Sequence, residues 1–184
     1  MIDPARQDQA ATTAGHGAGS RTGPSLHVLY VAWGFPPHRG PGAYRSLATV
    51  NMLASAGHRV TVITADLATF DVMMGADRSL LDRIHPEVRV IRVPFPAGRR
   101  DPIVSRWTRE RARAPKDWRD AMSVREAAVF PEHTYSLWRP RLDAAAYRLH
   151  RADPVDLTIA TGNPYVDFSP AFHLRAEALS LIHI

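Results

Sequence analysis

Residues 26–66 read LHVLYVAWGFPPHRGPGAYRSLATVNMLASAGHRVTVITAD, and this stretch decides the fold. Leu26–Trp33 is an apolar run long enough for a buried strand and too short for a helix. From Gly34 to Gly42, Gly34, Pro36, Pro37, Gly40, Pro41 and Gly42 forbid regular structure. Apolar residues then recur at helical spacing from Ala43 through Leu47, Val50, Met52, Leu53 and Ala54. Gly57 suits the left-handed position that ends a helix, and Arg59–Thr64 resumes β-branched character. Strand, glycine-bearing loop, helix and strand make one βαβ unit, which predicts a parallel sheet with a right-handed crossover.

Composition sets the bounds around that unit. A chain of 184 residues with 45% hydrophobic content has the length of a single domain with a sizeable core. Cysteine is absent, which excludes disulfides, zinc-thiolate sites and thiol chemistry and fits a reducing, cytoplasmic setting. No run approaches the roughly 18 apolar residues of a membrane span. Residues 1–25 are rich in Ala, Gly, Thr, Gln and Ser; they carry neither periodicity nor the apolar core of a secretory signal, and read as a disordered leader. The formal charge of +5 is an arginine charge, since Lys116 is the only lysine. Arginine favours bidentate partners such as phosphate or carboxylate, although a GC-rich coding sequence also supplies arginine.

Beyond the opening unit, residues 65–75 read as a loop, and Asp77 as the cap of a brief helix through Leu80, Leu81 and Ile84. Val88–Val93 is a third strand, ended by Pro94 and Pro96. Residues 97–131 interleave arginines with Trp107 and Trp118, and predict one or two short helices leaving the sheet. Such a stretch is either a solvated face with its tryptophans turned inward or, through residues 99–125, a peripheral contact with the inner face of a membrane. No recognition module accompanies the charge, so nucleic acid is not an expected partner. Pro140–Ala152 is a helix, Val155–Ala160 a fourth strand, and Tyr165–Ala178 a further helix that Pro170 restricts to a start near Ser169. Residues 179–184 do not lead into another buried strand and read as an atypical or truncated tail. The alternation defines a doubly wound, Rossmann-like α/β domain over residues 26–178, with ligands beyond the carboxyl ends of its strands. That rule selects two loops, Gly34–Gly42 and Thr161–Tyr165.

Gly40-Pro41-Gly42-Ala43-Tyr44-Arg45 begins like a dinucleotide fingerprint, with Asp66 placed to meet a ribose. Arg45 stands where the third glycine belongs, however, and five residues separate the end of the strand's Gly34 turn from Gly40. An NAD or FAD site wants a tighter turn. A loop whose small residues let backbone amides approach an anion, with the positive end of the helix behind it, fits better. Arg39 and Arg45 could add charge-assisted contacts to a diphosphate. A non-catalytic nucleotide- or anion-binding module would use the same features.

Taken together, FPPHRGPG (35–42), the helix end ASAGHRVTVIT (54–64) and DPVDLTIATGNPYVDFSPAF (153–172) resemble the N-terminal domain of family 4 glycosyltransferases, which have the GT-B fold of two facing Rossmann-like domains. Phe35-Pro36-Pro37, Gly40 and Gly57-His58 followed by Val60-Thr61-Val62 match the family pattern, and Pro41-Gly42 departs from its simple glycine pair. The resemblance implies retaining transfer of a sugar from a nucleotide-sugar co-substrate to a saccharide or lipid-linked acceptor, with no further cofactor and no metal. Gly40 and Gly42 would then border the diphosphate, and Thr161, Asn163 and Tyr165 the acceptor. No catalytic residue is assigned. Thr161 or Asn163 occupies the neighbourhood where many members carry a histidine, with Asp167 and His173 as alternatives expected to lie solvated on a helix; His58 reads as structural. The donor half of such an enzyme lies in a second domain that these residues do not contain, so this chain by itself is expected to be inactive.

Overall fold

The first strand, β1 (His27–Val31), is buried at every position because it lies in the middle of the sheet. The computed structural model describes residues 23–73, 75–178 and 181–183. After β1 come α1 (Pro41–Ser55), β2 (Arg59–Ala65), α2 (Leu67–Met73) and β3 (Arg89–Val93). An excursion carries α3 (Arg109–Arg113) and α4 (Pro115–Val129), and the chain returns through α5 (Arg139–Ala152), β4 (Leu157–Ala160), α6 (Ser169–Ala178) and β5 (Leu181–His183). All pairings are parallel and the strand order is β3-β2-β1-β4-β5. The chain is therefore a Rossmann-like α/β domain whose order reverses between β1 and β4.

Period-two alternation in β1 assigns its two faces. Tyr30 and Ala32 join Val60 and Val62 under Leu47, Val50 and Ala54 of α1. Leu29, Val31 and Trp33 face the opposite layer with Phe70, Trp138, Leu142, Leu149 and Leu174. Pro41 sits in the first turn of α1, where its missing N–H has no intrahelical use, so the helix begins two residues before Ala43. Gly57 adopts φ 86°, and the amides of Ala56, Gly57 and His58 return to the last carbonyls of α1. His58 accepts the Leu26 N–H through Nδ1 at 3.3 Å, the structural task expected of it.

Three expectations need correction. Residues 67–73 are helical, because the Asp66 carboxylate accepts the Thr69 N–H and caps α2. Leu181–His183 pairs with Leu157–Ile159 of β4 and extends the sheet, so that part of the tail is a strand. Ser25, the last residue of the expected leader, donates its hydroxyl to the Gly57 carbonyl at 2.7 Å, and most of residues 1–25 lies outside the described residues. The brief segment capped by Asp77 is a 3-10 turn over Arg78–Arg83.

The basic excursion is held by one arginine. The Arg111 guanidinium lies 4.1 Å from the Trp107 ring centre and 4.7 Å from that of Trp118. It also donates to the carbonyls of Gly98 and Asp101. A planar, weakly hydrated cation between two aromatic faces explains how Arg111 can be buried. Both tryptophans are thus turned onto the protein, whereas Arg100, Arg106, Arg109, Arg113, Lys116, Arg119 and Arg125 are exposed.

Candidate functional site

A cleft of about 780 Å³ opens at the point where the strand order reverses. Gly34, His38, Gly40–Ala43, Arg45 and Ser46 form one wall, and Ile159–Pro164 the other. Trp33 and Tyr135 close its base. The position follows from topology: neighbouring strands whose connections leave to opposite sides part their loops at the carboxyl end.

Trp33, the second residue past β1, organises this end of the sheet. Its carbonyl accepts from the Thr64 hydroxyl at 2.9 Å and its N–H donates to the Asp167 carboxyl at 2.9 Å. Its ring meets His38, Phe70, Phe95 and Tyr135 edge-on, with centroids 5.1–5.8 Å apart. From there the chain turns through Phe35-Pro36-Pro37. The half-buried Arg92 guanidinium, its pKa lowered by burial, holds that turn by donating to the Pro36 carbonyl at 2.6 Å.

His38 fills the inside of the loop. Its ring stacks on Phe70 at 5.5 Å and 15°. A Cβ on Gly34 would stand 2.8 Å from the imidazole Cδ2, and one on Gly40 2.4 Å from Nε2. These two glycines are glycine because the ring occupies the space. Gly42 differs: a Cβ there meets nothing within 4 Å and would point into open space. Burial lowers the His38 pKa, so the imidazole is neutral at physiological pH.

The other wall is fastened by Asp167, fully buried on the turn Tyr165–Phe168. One carboxyl oxygen accepts from the Trp33 N–H and, at 2.8 Å, from the Thr161 hydroxyl; the other, Oδ1, has no partner among the described residues. The side chain thereby ties the end of β1 to the end of β4. Burial pushes its pKa up to about 8 against the pull of the two donors, and the Glu132 carboxylate adds to the rise. Glu132 itself accepts the N–H groups of Tyr165 and Val166. Burial likewise raises the Tyr135 hydroxyl, against the opposing influence of Arg100.

Of the residues singled out in the sequence, Gly40, Gly42, Arg45, Thr161 and Asn163 line this one cleft. Arg39 and Tyr165 do not: the Arg39 guanidinium lies against Gly75, and Tyr165 is exposed beyond Pro164. Asp66 is engaged in capping α2 and does not line the cleft. Asp167 is buried, contrary to the expectation of a solvated helix surface, while His173 packs edge-on to Tyr147. Tyr135 and His38 also line the cleft, and the sequence marks neither as a site residue beyond the glycines that flank His38 at Gly34 and Gly40. Among the described residues no group of three or more His, Asp or Glu side chains is arranged to hold a metal, and no helix is long and apolar enough to cross a membrane. No protein-family model matches the chain, and no curated protein matches it.

Two predictions follow from these contacts. Gly40→Ala, which drives a methyl into a ring pinned by Phe70 and Trp33, should cost about 1–3 kcal/mol in urea unfolding. Gly42→Ala, in the first turn of α1, should be neutral or stabilising by up to about 1 kcal/mol; equal losses for both would contradict the packing described. For Asp167, the unfolded chain releases the carboxyl proton near the ordinary value of 3.8 and the folded chain near 8. Between those values the folded state holds the extra proton, so this group's contribution is greatest below the lower value and is lost as pH rises through the upper one. Asp167→Asn keeps an acceptor for both donors and should gain stability relative to the parent as pH rises from 4 to 9. A difference independent of pH would show that the carboxyl is ionised in the folded state.

Proposed function

We propose that this chain is the acceptor-side domain of a GT-B glycosyltransferase, acting in sugar transfer from a nucleotide-sugar to a saccharide or lipid-linked acceptor together with a donor-binding domain. The observation that carries the reading is the cleft itself. The Phe-Pro-Pro loop and the Thr161–Pro164 loop, from two of the three motifs of the family resemblance, come together from distant parts of the sequence to form its two walls. One wall is rich in donors: the Gly42 amide in the first turn of α1, Arg45 and the His38 ring. The other offers the side chain of Asn163 and the backbone of Thr161–Gly162, suited to the hydroxyls of an acceptor. Fixed donors of this kind stabilise charge developing on a departing diphosphate without reorganising during the reaction.

An NAD or FAD enzyme is disfavoured by the capping role of Asp66 and by Arg45 at the third fingerprint position. A stand-alone nucleotide-binding module differs in affinity. Half a cleft should bind nucleoside-diphosphate sugars only at roughly millimolar Kd, about −4 kcal/mol, whereas a complete module should bind its nucleotide far more tightly. Amide NMR titration of the chain with UDP- and GDP-sugars, NAD and FAD checks this. The expected result is weak perturbation at Gly40, Gly42, Thr161 and Asn163 by the sugar nucleotides, abolished in Gly42→Trp, which fills open space. Micromolar binding of NAD with no response to sugar nucleotides would overturn the proposal.

A further inference from the structure

We infer that His38, with its ring proton on Nε2, donates a hydrogen bond to a phosphoryl oxygen of the ligand in this cleft. The inference rests on the diphosphate reading above and assigns that site a residue the sequence motifs leave out.

The tautomer comes from the surroundings of the two ring nitrogens. Nδ1 is closed off from solvent and has no hydrogen-bond partner among the described residues. Buried N–H groups without acceptors are rarer and costlier than bare acceptors, so the lone pair belongs on Nδ1 and the proton on Nε2. Nε2 lies against Gly40, at the cleft wall, and has no partner among the described residues. That orientation is fixed by the Phe70 stack, the Trp33 edge contact and the two glycines that make room for the ring. A ring so held presents a donor without further ordering on binding.

The same geometry excludes two other roles. As a general base His38 would need its lone pair on Nε2 and an orphaned N–H on Nδ1. As a cation it would carry that orphaned N–H as well, and no carboxylate faces the ring to compensate. Asp71 on α2 pairs with Arg78, and Asp77 accepts from Ser79. The cations Arg39, Arg45 and Arg92 and the hydroxyl of Tyr135 complete the surroundings, and none of them favours an imidazolium. His38 therefore stays neutral when the ligand binds. The class of ligand follows from its neighbours: Nε2–H, the Gly42 amide and Arg45 are all donors, a set that suits an anionic oxygen rather than a hydroxyl.

Long-range ¹⁵N–¹H NMR of the histidine rings in the whole chain tests this, with inorganic pyrophosphate as the probe and methyl glucoside as an uncharged hydroxyl control. The His38 resonances, assigned by their loss in His38→Phe, should show the Nε2–H tautomer near neutral pH before any addition. Pyrophosphate should move the Nε2 proton downfield and leave Nδ1 unprotonated, and methyl glucoside should not move it. His38→Phe keeps the stack on Phe70 and should weaken pyrophosphate binding roughly 5- to 10-fold, the loss of one hydrogen bond. An Nδ1–H tautomer, a protonated ring in the complex, or a response to the glucoside alone would overturn the inference. If pyrophosphate perturbs the Gly40 and Gly42 amides but not the ring, the inference fails and the diphosphate reading stands. If it perturbs neither, both fail.

Discussion

The cleft depends on a carboxyl group that never meets water. Parallel strands are joined along their length by backbone bonds, but those bonds stop where β1 and β4 end, and the loops beyond would be free to splay. Asp167 bridges that gap with one oxygen shared by the Trp33 amide and the Thr161 hydroxyl. A neutral acid there satisfies both donors without placing a full charge in an apolar layer, which would cost far more than the two bonds return. Glu132, from the stretch after α4, holds the two amides that begin the turn bearing Asp167. The distance between the cleft walls is thereby set by groups from three separate parts of the sequence: the Trp33 amide, Glu132, and Thr161 with Asp167.

On this frame Trp33 acts as the hub. It receives Asp167 through its amide, Thr64 through its carbonyl, and four aromatic rings through its edges and faces. Edge-on aromatic packing fixes ring planes as well as positions, so His38 inherits its orientation from Trp33 and Phe70. The loop is rich in glycine and proline, yet it is filled and braced from within, and only Gly42 faces space that a ligand could take. An anion arriving there would meet donors already in place.

How much of this could be read from residues alone varied with the range of the interaction. The βαβ unit was legible because periodicity, Pro41 and Gly57 act over a few residues. The choice of the Gly34–Gly42 and Thr161–Tyr165 loops followed from strand order, and the two do share a cleft. Asp167 could not be read as a buried latch, since its partner Trp33 is 134 residues distant and only the reversal of strand order brings them together. Arg111 looked like one member of a charge run, because nothing local shows that Trp107 and Trp118 close on it. Arg39 and Arg45 are equivalent in the sequence, and the turn after Pro37 alone sends one toward Gly75 and the other into the cleft.

The central claim is that a neutral Asp167 holds the two walls together, and the ¹³Cγ chemical shift of that residue followed from pH 4 to 10 tests it most directly. The account predicts a protonated carboxyl through neutral pH with a titration midpoint near 8, accompanied by shifts of the Trp33 and Thr161 amides at the same midpoint. A midpoint in the ordinary carboxylate range near 4, with those amides unchanged at higher pH, would contradict it.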